Sequence, residues 1–252
     1  MTRLFAFLVA LVLCAAESRA QQPADCSVPN YLLFGDSALD RVNKAVVEKK
    51  TLKIVVVGTA SSTLPGRDGA ASAFPARLEV ALKEQLPGVA IVVTNYAKPR
   101  QTAAQMAEIL EKLLLDEKPD LVVWQSGTFD ALQGIDPEQY RASVAEGVEA
   151  VQAGLADIIL MNMQYSPRTE SMLPLGGYAD NMRWVARERE VPLFDRLAIM
   201  RHWYDNGAID LYAATKDVSV AKRVHDCIGR ARESRRCSTP RGPGTFANAR
   251  RT

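Results

Sequence analysis

The sequence predicts an α/β fold, a three-layer α/β/α sandwich around a parallel five-stranded sheet. Three observations lead there. Residues 54–57, Ile-Val-Val-Val, form an unbroken β-branched run that stops at Gly58. That is the pattern of a parallel strand buried on both faces, which needs no polar alternation. Further short apolar runs stand at 89–94, 121–125, 158–163 and 191–194, separated by stretches of helical periodicity. Strands alternating with helices at this spacing specify a doubly wound sheet.

Taken in order, residues 21–29 read as an extended lead-in and 31–50 as a short approach followed by a helix, with Leu39, Val42, Ala45 and Val46 on one face. Gly35-Asp36-Ser37 follows no β-branched strand, so Asp36 or Ser37 is read as the N-cap of that helix. A helix at 74–86 ends at Pro87-Gly88, and Thr102 is the N-cap candidate for an amphipathic helix at 102–116. The strand at 121–125 runs into Ser126-Gly127-Thr128-Phe129-Asp130. Helices at 137–153, 178–190 and 215–230 complete the pattern. Residues 233–252 are rich in Arg, Ser, Pro and Gly and bury too little apolar surface to offset their ordering entropy, so a disordered tail is expected. The expected organisation is a signal peptide at 1–20, an N-terminal extension and helix at 21–51, one domain at 52–232 and the tail. No internal repeat or linker is evident.

Arg3, the apolar stretch 4–16 and Ser18-Arg19-Ala20 have the form of a cleavable secretory signal. The apolar stretch falls short of the ~20 residues that span a bilayer. A periplasmic or secreted protein with no membrane span after cleavage is therefore expected, and a monomer. Of the four cysteines, Cys14 lies in the signal. Pairing Cys26 with Cys227 would tie the mature N-terminus to the last helix and leave Cys237 in the tail as the odd thiol. The chain has 31 basic and 29 acidic residues, but from Arg230 onward it holds seven arginines and one glutamate, leaving 24 against 28 in the body. An acidic body with a basic tail is no nucleic-acid footprint, which needs a basic face on the fold.

Other chemistries find no support in the pattern. Neither Gly-x-x-x-x-Gly-Lys nor Gly-x-Gly-x-x-Gly follows the first strand, and the two histidines and the cysteines lack zinc spacing. No cofactor and no metal are expected. The Met-Asn-Met-Gln run at 161–164 reads as the end of a buried strand, and Trp124 and Trp184 as core or helix-packing residues.

In an open α/β sheet, ligands bind at the carboxyl ends of the strands. The first strand ends in Gly58-Thr59-Ala60-Ser61-Ser62-Thr63, so Ser61 and Ser62 stand where a nucleophile would be held. The plainer reading is that these hydroxyls only cap a turn or satisfy loop amides. His225, in Arg223-Val224-His225-Asp226-Cys227, is either a half-buried helical residue or a general base; His202 is read as packing on Trp203.

With these residues in place, the stretch from about 52 to 229 resembles the SGNH/GDSL hydrolase family, esterases and acyl-hydrolases of flavodoxin-like fold. Residues 58–63 resemble the family's Gly-x-Ser-x-Thr with one residue added, which puts Ser61 in the nucleophile slot. Residues 73–79, Ala-Phe-Pro-Ala-Arg-Leu-Glu, are similar to the helix that follows. Residues 95–102 resemble the block whose glycine amide helps hold the oxyanion, and residues 124–130 the block Gly-x-Asn-Asp. The chain departs from the family at three places. Phe129 stands for the oxyanion asparagine, Arg100 or a neighbour for the glycine, and Ser219, in Lys216-Asp217-Val218-Ser219, for the histidine of Asp-x-x-His. The resemblance implies a hydrolase of a small-molecule ester or an acylated glycan or lipid. Ser61 would be the nucleophile, with His225 as base and Asp217 or Asp226 orienting it. Backbone amides near Ser61 and Thr128, together with Gly58, Ser62, Gly127 and Asp130, would form the oxyanion and binding group. A member of the same fold that binds a ligand or envelope partner without turnover is the alternative.

Overall fold

The computed structural model describes residues 26–32, 38–212 and 217–230. The signal peptide, the Gly35-Asp36-Ser37 cap, Cys237 and the Arg-rich tail lie outside them. Helix α1 (Asp40–Lys44) continues through a π-helical turn (Ala45–Lys49) into β1 (Thr51–Val57). A 3-10 turn (Ala60–Ser62), α2 (Gly69–Ser72), α3 (Phe74–Gln85), β2 (Ala90–Asn95), α4 (Ala103–Glu117) and β3 (Leu121–Gln125) follow. The second half comprises α5 (Thr128–Gln133), α6 (Pro137–Ala153), β4 (Asp157–Met161), α7 (Pro167–Met172), α8 (Leu175–Glu188), β5 (Leu193–Phe194), α9 (Arg196–Asp205) and α10 (Val218–Arg230).

The five strands form one parallel sheet in the order β2-β1-β3-β4-β5. Every residue of β3 is buried, as are Ile54 to Val57 of β1, because helices cover both faces. On one side α4 packs on α6 and α6 on α8; on the other α3 packs on α10. The register pairs Val57 with Trp124, Gln125 with Met161, and Met161 with Phe194. The carboxyl ends of β1, β3, β4 and β5 therefore finish side by side, and the loops that leave them share one edge.

Local chemistry accounts for the element ends. Thr102 and Gln105 form a reciprocal capping box at the start of α4, as the Thr102 expectation requires. Asp136 caps α6 through the Glu138 and Gln139 amides. Helix α8 starts at Leu175, three residues before the expected 178, and runs through Gly176 and Gly177. Burial of Leu175 and Tyr178 outweighs the glycines' propensity cost of about 1 kcal/mol each. Helix α9 was not expected; Asp195 caps it through the Ala198 amide, and Leu197, Met200 and Trp203 bury one stripe. Trp124 is wholly buried as expected, but Trp184 is 46% exposed, with the Arg141 guanidinium 4.7 Å above its ring. His202 is partly exposed and bonds to the Asn206 side chain. No described helix is long and apolar enough to cross a membrane.

A disulfide joins Cys26 to Cys227, with Cα atoms 5.3 Å apart at a sequence separation of 201. It fastens the segment ahead of α1 to α10, the helix that carries His225. Closing so long a loop removes much of the unfolded chain's freedom. Replacing both cysteines by serine is expected to lower the unfolding free energy by about 3–5 kcal/mol, read from urea titration of the oxidised protein against the double variant. A loss below about 1 kcal/mol would show that this cross-link does not restrain the unfolded chain.

Candidate active site

The loop after β1 is shaped by one side chain on the neighbouring strand. Gln125 ends β3, and its Oε1 lies 3.1 Å from both the Thr59 amide and the Thr59 hydroxyl, 3.0 Å from Ser61 Oγ and 3.1 Å from Ser62 Oγ. All four are donors. One amide oxygen has two lone pairs, so the three hydroxyls compete and no single proton is firmly held. Gly58 makes the convergence possible: a Cβ there would stand 2.5 Å from Ser62 Oγ and 3.2 Å from Gln125 Oε1. Thr59 and Ser62 are buried, whereas Ser61 is partly exposed. Of the three residues whose hydroxyls lie on Gln125, Ser61 is the one that is not buried.

On its other side Ser61 meets Arg196, the first residue of α9. Its guanidinium donates through one terminal nitrogen to the Ser61 carbonyl at 3.1 Å and to Ser61 Oγ at 3.4 Å, and through the other to Gln164 Oε1 at 3.3 Å. Arg196 is fully buried and, among the described residues, has no carboxylate within ion-pair distance. The adjacent Asp195 is committed elsewhere: Oδ2 takes Arg183 Nε at 2.6 Å, and Oδ1 takes Asn162 Nδ2 and the Ala198 amide. Burial pushes the Arg196 guanidinium down to about 9, which leaves it protonated at neutral pH. Its Nε and the Nε2 of Gln125 are buried donors without a partner. The Phe74 ring lies 5.9 Å from the guanidinium carbon, a weak cation–π contact in place of a counter-ion.

The expected base is bonded to the backbone of the same Phe74. His225 is 4% exposed, and its Nδ1 accepts the Phe74 amide at 2.9 Å, which fixes the neutral ring with its proton on Nε2. Burial, and after it the Arg196 charge, push the imidazole down to about 3. Its ring centroid is 6.2 Å from that of Phe74, and no hydrogen bond links it to Ser61. Asp217, expected to orient it, instead caps α10 through the Ser219 amide at 2.8 Å; the Ser219 hydroxyl and amide hold its carboxyl below the usual range. Asp226 pairs with Arg77 and Arg230. The structure therefore brings Ser61, Ser62 and Gly58 together with Gln125 and Arg196, and sets His225 and Asp217 apart from Ser61.

The remaining expected positions line the next loop. Gly127 has φ +108, and a Cβ there would stand 2.5 Å from Met163 Sδ, so glycine is required both for the turn and for the space. Thr128 opens α5 with its hydroxyl buried and unpartnered. Asp130 is buried; its Oδ1 accepts the Ala103 amide at 2.8 Å, tying α5 to the start of α4, and desolvation raises its pKa. Arg100 has φ +62. The left-handed turn that a glycine would form without strain is kept here by an arginine, at a cost of about 1–3 kcal/mol. Among the described residues, no group of three or more His, Cys, Asp or Glu side chains could hold a metal ion. Gln125, Gln164 and Arg196 carry the site without having been expected. Gln125 had a signal, as the polar end of a wholly apolar strand, and Arg196 had only its place directly after the last strand.

Residues 25–233 match the model of the Non-GDSL lipase-like family. Over 114 residues the chain is 31% identical to Esterase TesA of Pseudomonas aeruginosa, covering 45% of this chain and 55% of that protein, so it spans little more than half the length of this curated relative. A crystal structure of TesA superposes with a TM-score of 0.56 at 23% identity, covering 70% of this chain and 95% of that one. A catalytic mutant of Axe2, an acetylxylan esterase from Geobacillus stearothermophilus, superposes with 0.58 at 20% identity, over 72% and 93%. At such identities the superpositions establish the fold.

The His225 environment has a pH signature. Free imidazole titrates near ~6.5, whereas the folded ring takes up its proton only at about 3. The unfolded chain therefore binds a proton that the folded chain excludes, and stability, full above the higher value, falls as pH drops through this window. His225→Gln, which keeps an acceptor near the Phe74 amide, is expected to flatten the fall in Tm between pH 6.5 and 4 relative to wild type. Superimposable Tm–pH profiles would contradict this.

Proposed function

The chain belongs to the non-GDSL lipase-like family, within the SGNH/GDSL hydrolases, and on that premise we propose that it hydrolyses an ester bond with Ser61 as the nucleophile. The observation that carries this reading is the position of the Ser61 hydroxyl. It stands at the carboxyl end of β1, partly exposed, between the shared oxygen of Gln125 and the guanidinium of Arg196. Attack by Oγ on an ester carbonyl places negative charge on the carbonyl oxygen, and donors already in place there lower the barrier more than any other single effect. In this reading the backbone amides of Ser61 and Thr128 receive that oxygen, while Gly58 leaves room for the Ser62 and Gln125 side chains that set the first loop and Gly127 for Met163 beneath the second. The substrate is an ester or acetyl group on a small molecule, glycan or lipid, met by an exported monomer.

A proton acceptor is the point on which a second reading turns. Hydrolysis requires His225 to release the Phe74 amide and turn a bare nitrogen toward Ser61, a contact of the kind that forms only with substrate bound. The bond as it stands, with Nδ1 occupied and the ring neutral, favours a protein that binds an ester- or acyl-bearing ligand without cleaving it.

Purified mature protein assayed on p-nitrophenyl acetate and butyrate and on acetylated xylo-oligosaccharides separates the two. The hydrolase reading expects turnover that falls by about three orders of magnitude or more in Ser61→Ala, and steeply in His225→Ala. Equal turnover in Ser61→Ala removes the nucleophile. No turnover by the wild type, with saturable binding of the same esters, supports the second reading.

A further inference from the structure

A protonated guanidinium in a protein interior normally carries a carboxylate with it, because desolvating a lone charge costs several kcal/mol. Arg196 has none. It also sits on the first residue of a ten-residue helix, where the positive end of the helix dipole adds to the cost. The nearest carboxylate in sequence, Asp195, is turned to Arg183, and Arg183 takes Asp180 as well. The polar groups that Arg196 does meet are neutral: the Ser61 carbonyl, Ser61 Oγ and Gln164 Oε1. Its Nε is buried with no acceptor among the described residues. A positive charge has been kept unneutralised, and one of its donors lies on the oxygen of the proposed nucleophile.

We propose that Arg196 is a catalytic residue of the hydrolysis: it stabilises the negative charge that gathers at Ser61 Oγ while its proton passes to His225, the base of the reading above, and Oγ bonds to the ester carbonyl carbon. The charge then moves to the carbonyl oxygen and collapses as the bond to the alcohol breaks and the alcohol takes the proton from His225. The inference rests on the reading of Ser61 as the nucleophile. In the resting state the charge has only neutral acceptors and Phe74 around it. It gains a true counter-ion only while Oγ is anionic or partly so, and an interaction stronger in the transition state than in the ground state is one that raises kcat. Gln164 fits the same role. As an amide it tethers the second terminal nitrogen and aims the fork, whereas a glutamate there would neutralise the charge permanently.

That last point provides the test. Gln164→Glu changes one atom in a partly exposed side chain 3.3 Å from the guanidinium. It is expected to leave Tm equal or higher, because Arg196 acquires a partner, while kcat on p-nitrophenyl acetate falls about tenfold or more and KM stays within about twofold. Arg196→Met is expected to lower kcat by about 10²–10³, the loss typical of one removed oxyanion donor. If that variant does not fold, Gln164→Glu carries the test alone, since a merely structural arginine predicts a more stable and equally active enzyme. Unchanged kcat in Gln164→Glu, with Ser61→Ala inactive, overturns the role of Arg196 and leaves the nucleophile standing. Wild-type turnover that survives Ser61→Ala, or is absent, fails the underlying reading instead and takes this inference with it.

Discussion

One amide oxygen holds the site together. Gln125 Oε1 gathers the Thr59 amide and three hydroxyls from the loop after β1, and it can do so because β1 and β3 are neighbours in register, with Val57 opposite Trp124. The loop is thereby folded back over the end of the strand next door instead of extending into solvent. Without that contact Ser62 would be a buried hydroxyl with no acceptor, and Ser61 would not be brought against Arg196. The arrangement costs the protein an unpartnered Gln125 Nε2 and an unpartnered Arg196 Nε, both buried. Groups left that way in an interior destabilise it by about 1–3 kcal/mol each, which is the kind of local penalty found where structure serves a site rather than the fold.

Much of the fold could be read from the sequence because the decisive signals were local. The run at 54–57 and the one at 121–124 are apolar without interruption, a pattern that a half-exposed strand does not have. Thr102 with Gln105, and Asp136 ahead of Pro137, are cap chemistries complete within four residues. The helices that escaped, α2, α5, α7 and α9, run to ten residues at most, and α9 shows its apolar stripe only when Trp203 is recognised as buried. The site was legible in part for the same reason. Ser61 announced itself through its place after a strand, but Arg196 meets Ser61 across 135 residues and Gln164 across 32. A charged residue ordinarily reads as solvated surface, and nothing near it in sequence signals that it is buried without a partner.

The departures from the family pattern become coherent in three dimensions. Arg100 has a left-handed backbone, the conformation a glycine adopts without strain. Ser219 is no base, and Asp217 beside it serves the helix start. His225, one turn and a half further along α10, has moved its nitrogen to the first amide of α3 and packs with Phe74 under the disulfide of Cys227. Burial holds this imidazole neutral, and the positive charge of Arg196, which also reaches the serine, adds to that. Arg196 thus meets both Ser61 and Phe74, and His225 bonds to Phe74 instead of completing a hydrogen-bonded triad with Ser61.

The account depends on Ser61 being the reactive oxygen of this loop. Incubating the folded protein with a fluorophosphonate and locating the adduct by peptide mass spectrometry tests this most directly. A single phosphonyl group on the peptide spanning residues 54–67, assigned to Ser61 and lost in Ser61→Ala, is the predicted result. An adduct on Ser62 or elsewhere, or none on the native protein, would contradict it.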